Sequence, residues 1–244
     1  MNEKLNKTFT ITNNLYDTND ILKPSSVFDL SQEISGDHAN LLKCGFNEFI
    51  AQDLIWVVVR NYLEIIEPIK FHSKLKLETY PLPTRFVEYP REVKYFDEGG
   101  KLLAVSKSIW MILNVKNFEI QTPHLFDNLD LNLNEPYFKT RIKKLPIIKK
   151  ENLIHSKNVE VTFSMLDHNG HLNNTRYLDM FLDVFEPDNY IKSVQVEYVK
   201  QSFLRDVLSL YKYEDGEDKY LYGYKDDELR FYMKVTFGGK INEN

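Results

Sequence analysis

Asp167, Asn169 and His171 stand two residues apart in "SMLDHNGHLNNTRYLDMFLD" (residues 164–183), which then runs into a strongly apolar segment. Three hydrogen-bonding side chains at the edge of a core are costly unless they bond to one another or to a ligand. An imidazole shuttles protons near neutral pH, and an amide and a carboxylate beside it can fix its orientation or hold a water molecule. If the strand expected over 158–166 stays extended, the trio continues the odd-numbered face of Val159, Val161, Phe163 and Met165 and points toward the core. His171 then immediately precedes a helix, whose first N–H groups lack partners and carry the positive end of the dipole. A thioester carbonyl placed there would be polarised as in an oxyanion hole. These are the parts for hydrolysing an activated acyl group. Taken singly, the same residues also read as punctuation, with "HNG" as a turn and Asn173 or Asn174 as an N-cap.

The elements that must position the trio form a repeated order. "TFTITNNLY" alternates like a strand, and "SSVFDLSQEISGDHANLLKCGF" reads as a helix with Ser25 or Ser26 as cap and Gly45 near its end. Only strands follow: "LIWVVVRNYLEI", "SKLKLETYPL" and a hairpin in "RFVEYPREVKYFDEGGKLLAVSKSIWMILN" that turns at "DEGG". After a basic segment, "KTRIKKLPIIKK", the order restarts with strand "NVEVTFSML", helix "LNNTRYLDMFLDVF" and strands "KSVQVEYVK", "DVLSLYKYE", "KYLYGYK" and "LRFYMKVTF". The hydropathy of "VVVRNYLEI" with "KLKLETY" parallels that of "VQVEYVKQS" with "VLSLYKY". Arg176, Asp179, Asp183 and Glu186 leave only a narrow polar stripe on the second helix, so it is expected to be enclosed by sheet. One helix wrapped by a curved antiparallel sheet, made twice, is a tandem hotdog, an α+β fold; periodicity alone also allows an ordinary α+β sandwich. The expected boundaries are 1–130 for the first unit, 131–154 for the connector and 155–244 for the second.

Composition narrows the rest. The 244 residues suffice for a sizeable core, and the formal charge of −5 does not point to nucleic acid as a partner. The single cysteine, Cys44, excludes an intramolecular disulfide and a cysteine-rich zinc site. The N-terminus has no signal-type apolar run and no window reaches the roughly 18 apolar residues of a membrane span, so the chain is expected to be cytoplasmic. Asp167, His168 and His171 could ligate a metal, but no further His or Cys cluster completes the set; no metal and no cofactor are expected. His38, His72, His124 and His155 are scattered and read as surface or satisfied structural histidines. "SGDHANLL", with Asp37, His38 and Asn40, faintly echoes the trio but reads as an exposed helix face. A glycine-rich phosphate loop, G-x-S-x-G and H-E-x-x-H are all missing from the sequence.

"LDHNGHLNNTRYLD" resembles the D-x-N-x-H-x-N-N-x-x-Y signature of the plant and bacterial fatty acyl carrier protein (acyl-ACP) thioesterases, whose fold is a tandem pair of hotdogs. "LIWVVVRNYLEI", "SKSIWMILNVKNFEIQTP" and "VEYVKQSFLRD" resemble flanking segments of that family. The resemblance implies catalytic roles for Asp167, Asn169 and His171. It also places the family's Glu-Cys pair on Gln201 and Ser202, a departure, because an amide holds a water or carbonyl but cannot take a proton as a carboxylate does. Base function would then rest on His171 or Asp167, with Gln201 positioning water. Glu197, four residues away on an extended strand, reads as an exposed charge. The implied first unit shapes an acyl pocket that Trp56 and Trp110 could line. The implied partner is acyl carrier protein bearing a phosphopantetheine-linked fatty acyl chain; the basic connector would offer it charge complementarity, although a lysine-rich connector reads first as a solvated linker. An acyl-CoA thioesterase and a non-catalytic acyl-binding protein are the alternatives, and both a monomer and a homodimer fit a fused pair.

Overall fold

The computed structural model describes residues 4–70, 74–123, 130–131 and 134–240; His72 and His124 lie outside these. Strand β1 (Leu5–Thr10) leads through a 3-10 turn to helix α1 (Pro24–Leu41), a short helix α2 (Phe46–Ile50), and strands β2 (Leu54–Ile65), β3 (Lys74–Pro81), β4 (Tyr89–Phe96), β5 (Leu102–Asn114) and β6 (Ile120–Gln121). The second half repeats the plan with β7 (Ile154–Glu160), a 3-10 turn, α3 (Arg176–Phe185), and β8 (Asn189–Tyr198), β9 (Val207–Asp215), β10 (Asp218–Lys225) and β11 (Glu228–Lys240).

The strands form one eleven-stranded sheet in the order β1-β3-β4-β5-β2-β8-β11-β10-β9-β7, with β6 on β5. Each half therefore has the same internal order, 1-3-4-5-2 and 7-9-10-11-8, and the halves meet where β2 pairs antiparallel with β8, Arg60 opposite Glu197. This is the tandem hotdog: two antiparallel units fused edge to edge, with α1 and α3 packed into one continuous core. Phe28 and Ile34 of α1 and Leu178 and Phe181 of α3 are fully buried there, on the apolar faces that the helical spacing predicts. The stripe on α3 has a partner, since Arg176 reaches Asp179 at 2.8 Å and Asp29 of α1 at 2.5 Å.

Several local expectations are corrected. Helix α1 starts on Pro24 with Lys23 as N-cap, because a proline at the first position loses no helical hydrogen bond; Ser25 and Ser26 are buried inside its first turn. It stops at Leu41, where Lys43 takes a left-handed conformation (φ 60°), and Gly45 caps α2, so strands are not all that follows. The connector lies across the face of the sheet opposite the helices. Glu92 accepts the N–H groups of Tyr137 (2.7 Å) and Phe138 (3.3 Å), and Glu197 accepts that of Leu145 (3.1 Å). Glu197 is thus 2% exposed and paired with Arg60 at 2.6 Å, not a surface charge.

Candidate functional site

Strand β7 ends at Glu160, and a 3-10 turn follows at Phe163–Met165, where Phe163 is 82% exposed. The chain does not stay extended, so the expected row of odd-numbered side chains is broken before it reaches Asp167. What replaces it is a tight loop. Asp167 N donates to His171 O (2.8 Å) and Gly170 N to Asp167 O (3.1 Å), with Gly170 at φ 78°. The Asp167 carboxylate folds back as an Asx turn, its Oδ1 accepting the N–H groups of Asn169 (2.8 Å) and His171 (3.1 Å).

Helix α3 begins at Arg176, not directly after His171, and its N-cap is Thr175 rather than Asn173 or Asn174. Asn173 Oδ1 accepts the Thr175 N–H and hydroxyl, Asn173 O accepts the Arg176 N–H, and Thr175 O accepts that of Leu178. The helix end has therefore already committed most of the donors expected to polarise a carbonyl.

The first half contains the same loop. Asp17 N donates to Ile21 O (2.8 Å), Asp20 N to Asp17 O (3.2 Å), and Asp17 Oδ1 accepts the N–H groups of Asn19 (2.8 Å) and Ile21 (3.1 Å). Bridges Tyr16 to Leu22 and Leu166 to Leu172 close the two loops identically, and Ile21 and His171 bridge to Lys70 and Phe203. Leu22 N donates to Ile69 O where Leu172 N donates to Ser202 O. In this correspondence Asp17 matches Asp167, Asn19 matches Asn169, Ile21 matches His171, and Pro68 matches Gln201. "YDTNDILK" against "LDHNGHLN" was the sequence signal for it; the echo in "SGDHANLL" is a different feature. There His38 is fully buried and hydrogen-bonded to Arg91, not exposed on a helix face.

Asp167, Asn169, His171 and Gln201 all line one cleft of about 1020 Å³, walled by α1, α2, the first half of β2 and the segment after β8. The structure brings the four to one cavity but makes no hydrogen bond between their side chains. Asn169 and Gln201 are exposed into the cleft, and His171 is half-buried with its ring edge-on to Phe203 at 5.1 Å. His168 lays its ring against Phe46 of α2 at 5.2 Å. Trp56 and Trp110 line the cleft, while Ser202 is fully buried and is not part of its wall. Arg230 escaped the sequence reading: it lines the cleft, and its Nη1 donates to Gln201 O at 2.7 Å, fixing the backbone that carries Gln201. Asp206 holds the same loop by accepting the Phe203 N–H at 3.0 Å. Burial pushes the Asp206 carboxyl up, but Lys225 at 2.7 Å and the Phe203 N–H outweigh it and hold it below the ordinary value.

Chemically, the cleft offers the His171 imidazole, which packs on Phe203 but hydrogen-bonds to no described side chain, two amides and apolar walls. That set suits attack of water on an acyl carbonyl attached to a long chain. No cluster of three potential metal ligands occurs among the described residues, and no helix there is long and apolar enough to cross a membrane.

Residues 2–122 match the family model of the acyl-ACP thioesterase N-terminal domain, and residues 148–238 match that of the C-terminal domain. An acyl-ACP thioesterase from Bacteroides thetaiotaomicron has a similar structure, with a TM-score of 0.86 at 20% identity over 97% of this chain and 98% of that one. The 12:0-ACP thioesterase from Umbellularia californica gives a TM-score of 0.84 at 18% identity over 98% and 99%. No curated protein sequence matches significantly.

Proposed function

Since the chain belongs to the acyl-ACP thioesterase family and is a thioester hydrolase that releases fatty acid from acyl-ACP, we propose that His171 is its general base, Asn169 its oxyanion donor and Gln201 the residue that positions water. Asp167 acts through the others. Its Oδ1 is occupied by the backbone of Asn169 and His171, so it is a positioning residue.

In this mechanism the thioester carbonyl lies against the Asn169 amide and water is held by Gln201. His171 takes a proton as the water oxygen bonds to the carbonyl carbon, and the negative charge gathers on the carbonyl oxygen beside Asn169. Collapse breaks the C–S bond, and the phosphopantetheine thiolate recovers the proton from His171. The free acid and the carrier thiol leave. No acyl-enzyme forms, because the residue at the family's cysteine position, Ser202, is fully buried and does not line the cleft. Within the same reading, the first unit (1–130) contributes the acyl pocket, the connector (131–154) straps the sheet and the second unit (155–244) carries the chemistry.

The observation that carries this assignment is internal to the molecule. Two loops share one hydrogen-bond pattern, yet the one at the cleft has His171 and Gln201 where the other has Ile21 and Pro68. Neither Ile nor Pro can hold a proton or a water. The test is single-turnover hydrolysis of medium and long acyl chains on carrier protein and on CoA, with wild type, His171→Ala and Asn169→Ala. The variants should lose most of the rate on carrier protein; undiminished rates in both would overturn the roles given to them.

A further inference from the structure

A second cavity of about 160 Å³ adjoins the cleft, sharing Gln32, Gly36, Ala39, Trp56 and Trp110 as walls. Pro90 and Tyr89 make most of its remaining surface apolar, as an acyl pocket requires. One wall does not fit a hydrocarbon. Arg91 of β4 lines it at 8% exposure. The two other buried lysine or arginine side chains among the described residues each have a carboxylate: Arg60 has Glu197 at 2.6 Å and Lys107 has Glu92 at 3.1 Å. Arg91 has none among the described residues. Its Nη1 lies within hydrogen-bond distance of His38 Nδ1 (2.9 Å) and Thr79 Oγ1 (3.1 Å), neither of them a carboxylate. Burial lowers the guanidinium to about 10, so it still carries its charge near neutrality. Gln32 Nε2, on the opposite helix, is also buried without a hydrogen-bond partner.

A methyl-ended chain filling this cavity would leave a buried cation without a counter-charge among the described residues and an amide N–H₂ unsatisfied, both costly. An acceptor-only group answers both. We propose that this second cavity binds a carboxylate at the far end of the acyl chain, so that the preferred substrates are half-thioesters of α,ω-dicarboxylic acids, held by Arg91 and Gln32. This rests on the hydrolase reading above, and deepens it by naming the substrate class.

The test compares carrier-protein thioesters of equal chain length ending in methyl or in carboxylate. Wild type should favour the carboxylate-ended chain by at least about tenfold in kcat/KM, and Arg91→Met and Gln32→Leu should each lower that ratio severalfold or more. Wild type that hydrolyses the methyl-ended chain equally well or better overturns the proposal. Failure to hydrolyse either chain would count against the hydrolase reading alone. For that case, calorimetric binding of free dicarboxylic and monocarboxylic acids of equal length to the His171→Ala protein decides the pocket separately: tighter binding of the diacid supports it, and equal or weaker binding overturns it.

Discussion

Replacing Asp17 and Asp167 by alanine, one at a time, separates what the loop does for the fold from what it does for the chemistry. Each change removes one carboxylate oxygen that accepts two backbone N–H groups, at 2.8 and 3.1 Å in both loops. Both loops are partly solvated, so each bond contributes about 1 kcal/mol and each variant loses about 2 kcal/mol. In a chain of this size that lowers the melting midpoint by roughly 4–8 °C, measurable by calorimetry or urea unfolding. Asp17→Ala should keep kcat/KM within about twofold of wild type when assayed below its transition, because Ile21 and Asn19 play no part in turnover. Asp167→Ala should lose activity, since His171 and Asn169 hang from that oxygen. Asp167→Asn retains an acceptor in the same place, and asparagine suits the same turn, so both stability and most of the rate should return. An Asp167→Asn protein as stable as wild type yet as inactive as His171→Ala would refute the positioning role and make the carboxylate itself part of the chemistry. Stability losses differing by more than about 1 kcal/mol between the two alanine variants would refute the equivalence of the loops.

His171→Ala should lower single-turnover rates by about 10²–10⁴, the usual range for a general base, and Asn169→Ala by about 10²–10³, that of one oxyanion donor. Gln201→Glu should change the pH profile of turnover while Gln201→Ala lowers the rate at all pH; no effect of either would remove Gln201 from the site. The Asp206 carboxyl lies below its unfolded value, so its contribution is complete above about pH 4 and is lost as pH falls through the folded value. Melting midpoints taken from about pH 6 down to pH 2 should therefore drop more steeply for wild type than for Asp206→Asn, and parallel curves would contradict this. Glu197→Gln leaves Arg60 buried without its partner and should cost about 3–5 kcal/mol or prevent folding; a stability within 1 kcal/mol of wild type would show the pair to be dispensable.

The strands were legible because they are rich in β-branched and aromatic residues and bounded by turn signals; "LIWVVVRNYLEI" coincides with β2 and "DEGG" with the turn between β4 and β5. The second helix was legible in its apolar face but not in its start, because Asn173 satisfies the donors that an N-cap inside the helix would have bonded. The trio was found by residue type and spacing, but for the wrong geometric reason. A strand was extended through Phe163, and the Asx turn that sets the loop depends on a carboxylate bonding two residues ahead, which alternation does not encode. Glu197 was misread because nothing along β8 announces that the connector, more than 50 residues earlier by Leu145, will cover that face. Arg230 and the matching of Pro68 with Gln201 needed the pairing of distant strands to become visible.

The seam between β2 and β8 makes the peptide link between the halves almost redundant. Paired strands, the Arg60–Glu197 ion pair and the Arg176–Asp29 contact join the halves without using the connector, and the connector is itself tethered on either side of the exposed residues 139–141. A single proteolytic nick there should yield two fragments that remain associated and co-elute as one species. Expressed apart, each fragment would present an unpaired edge strand and half of the cleft, so recovery of thioester cleavage on mixing would report their reunion directly.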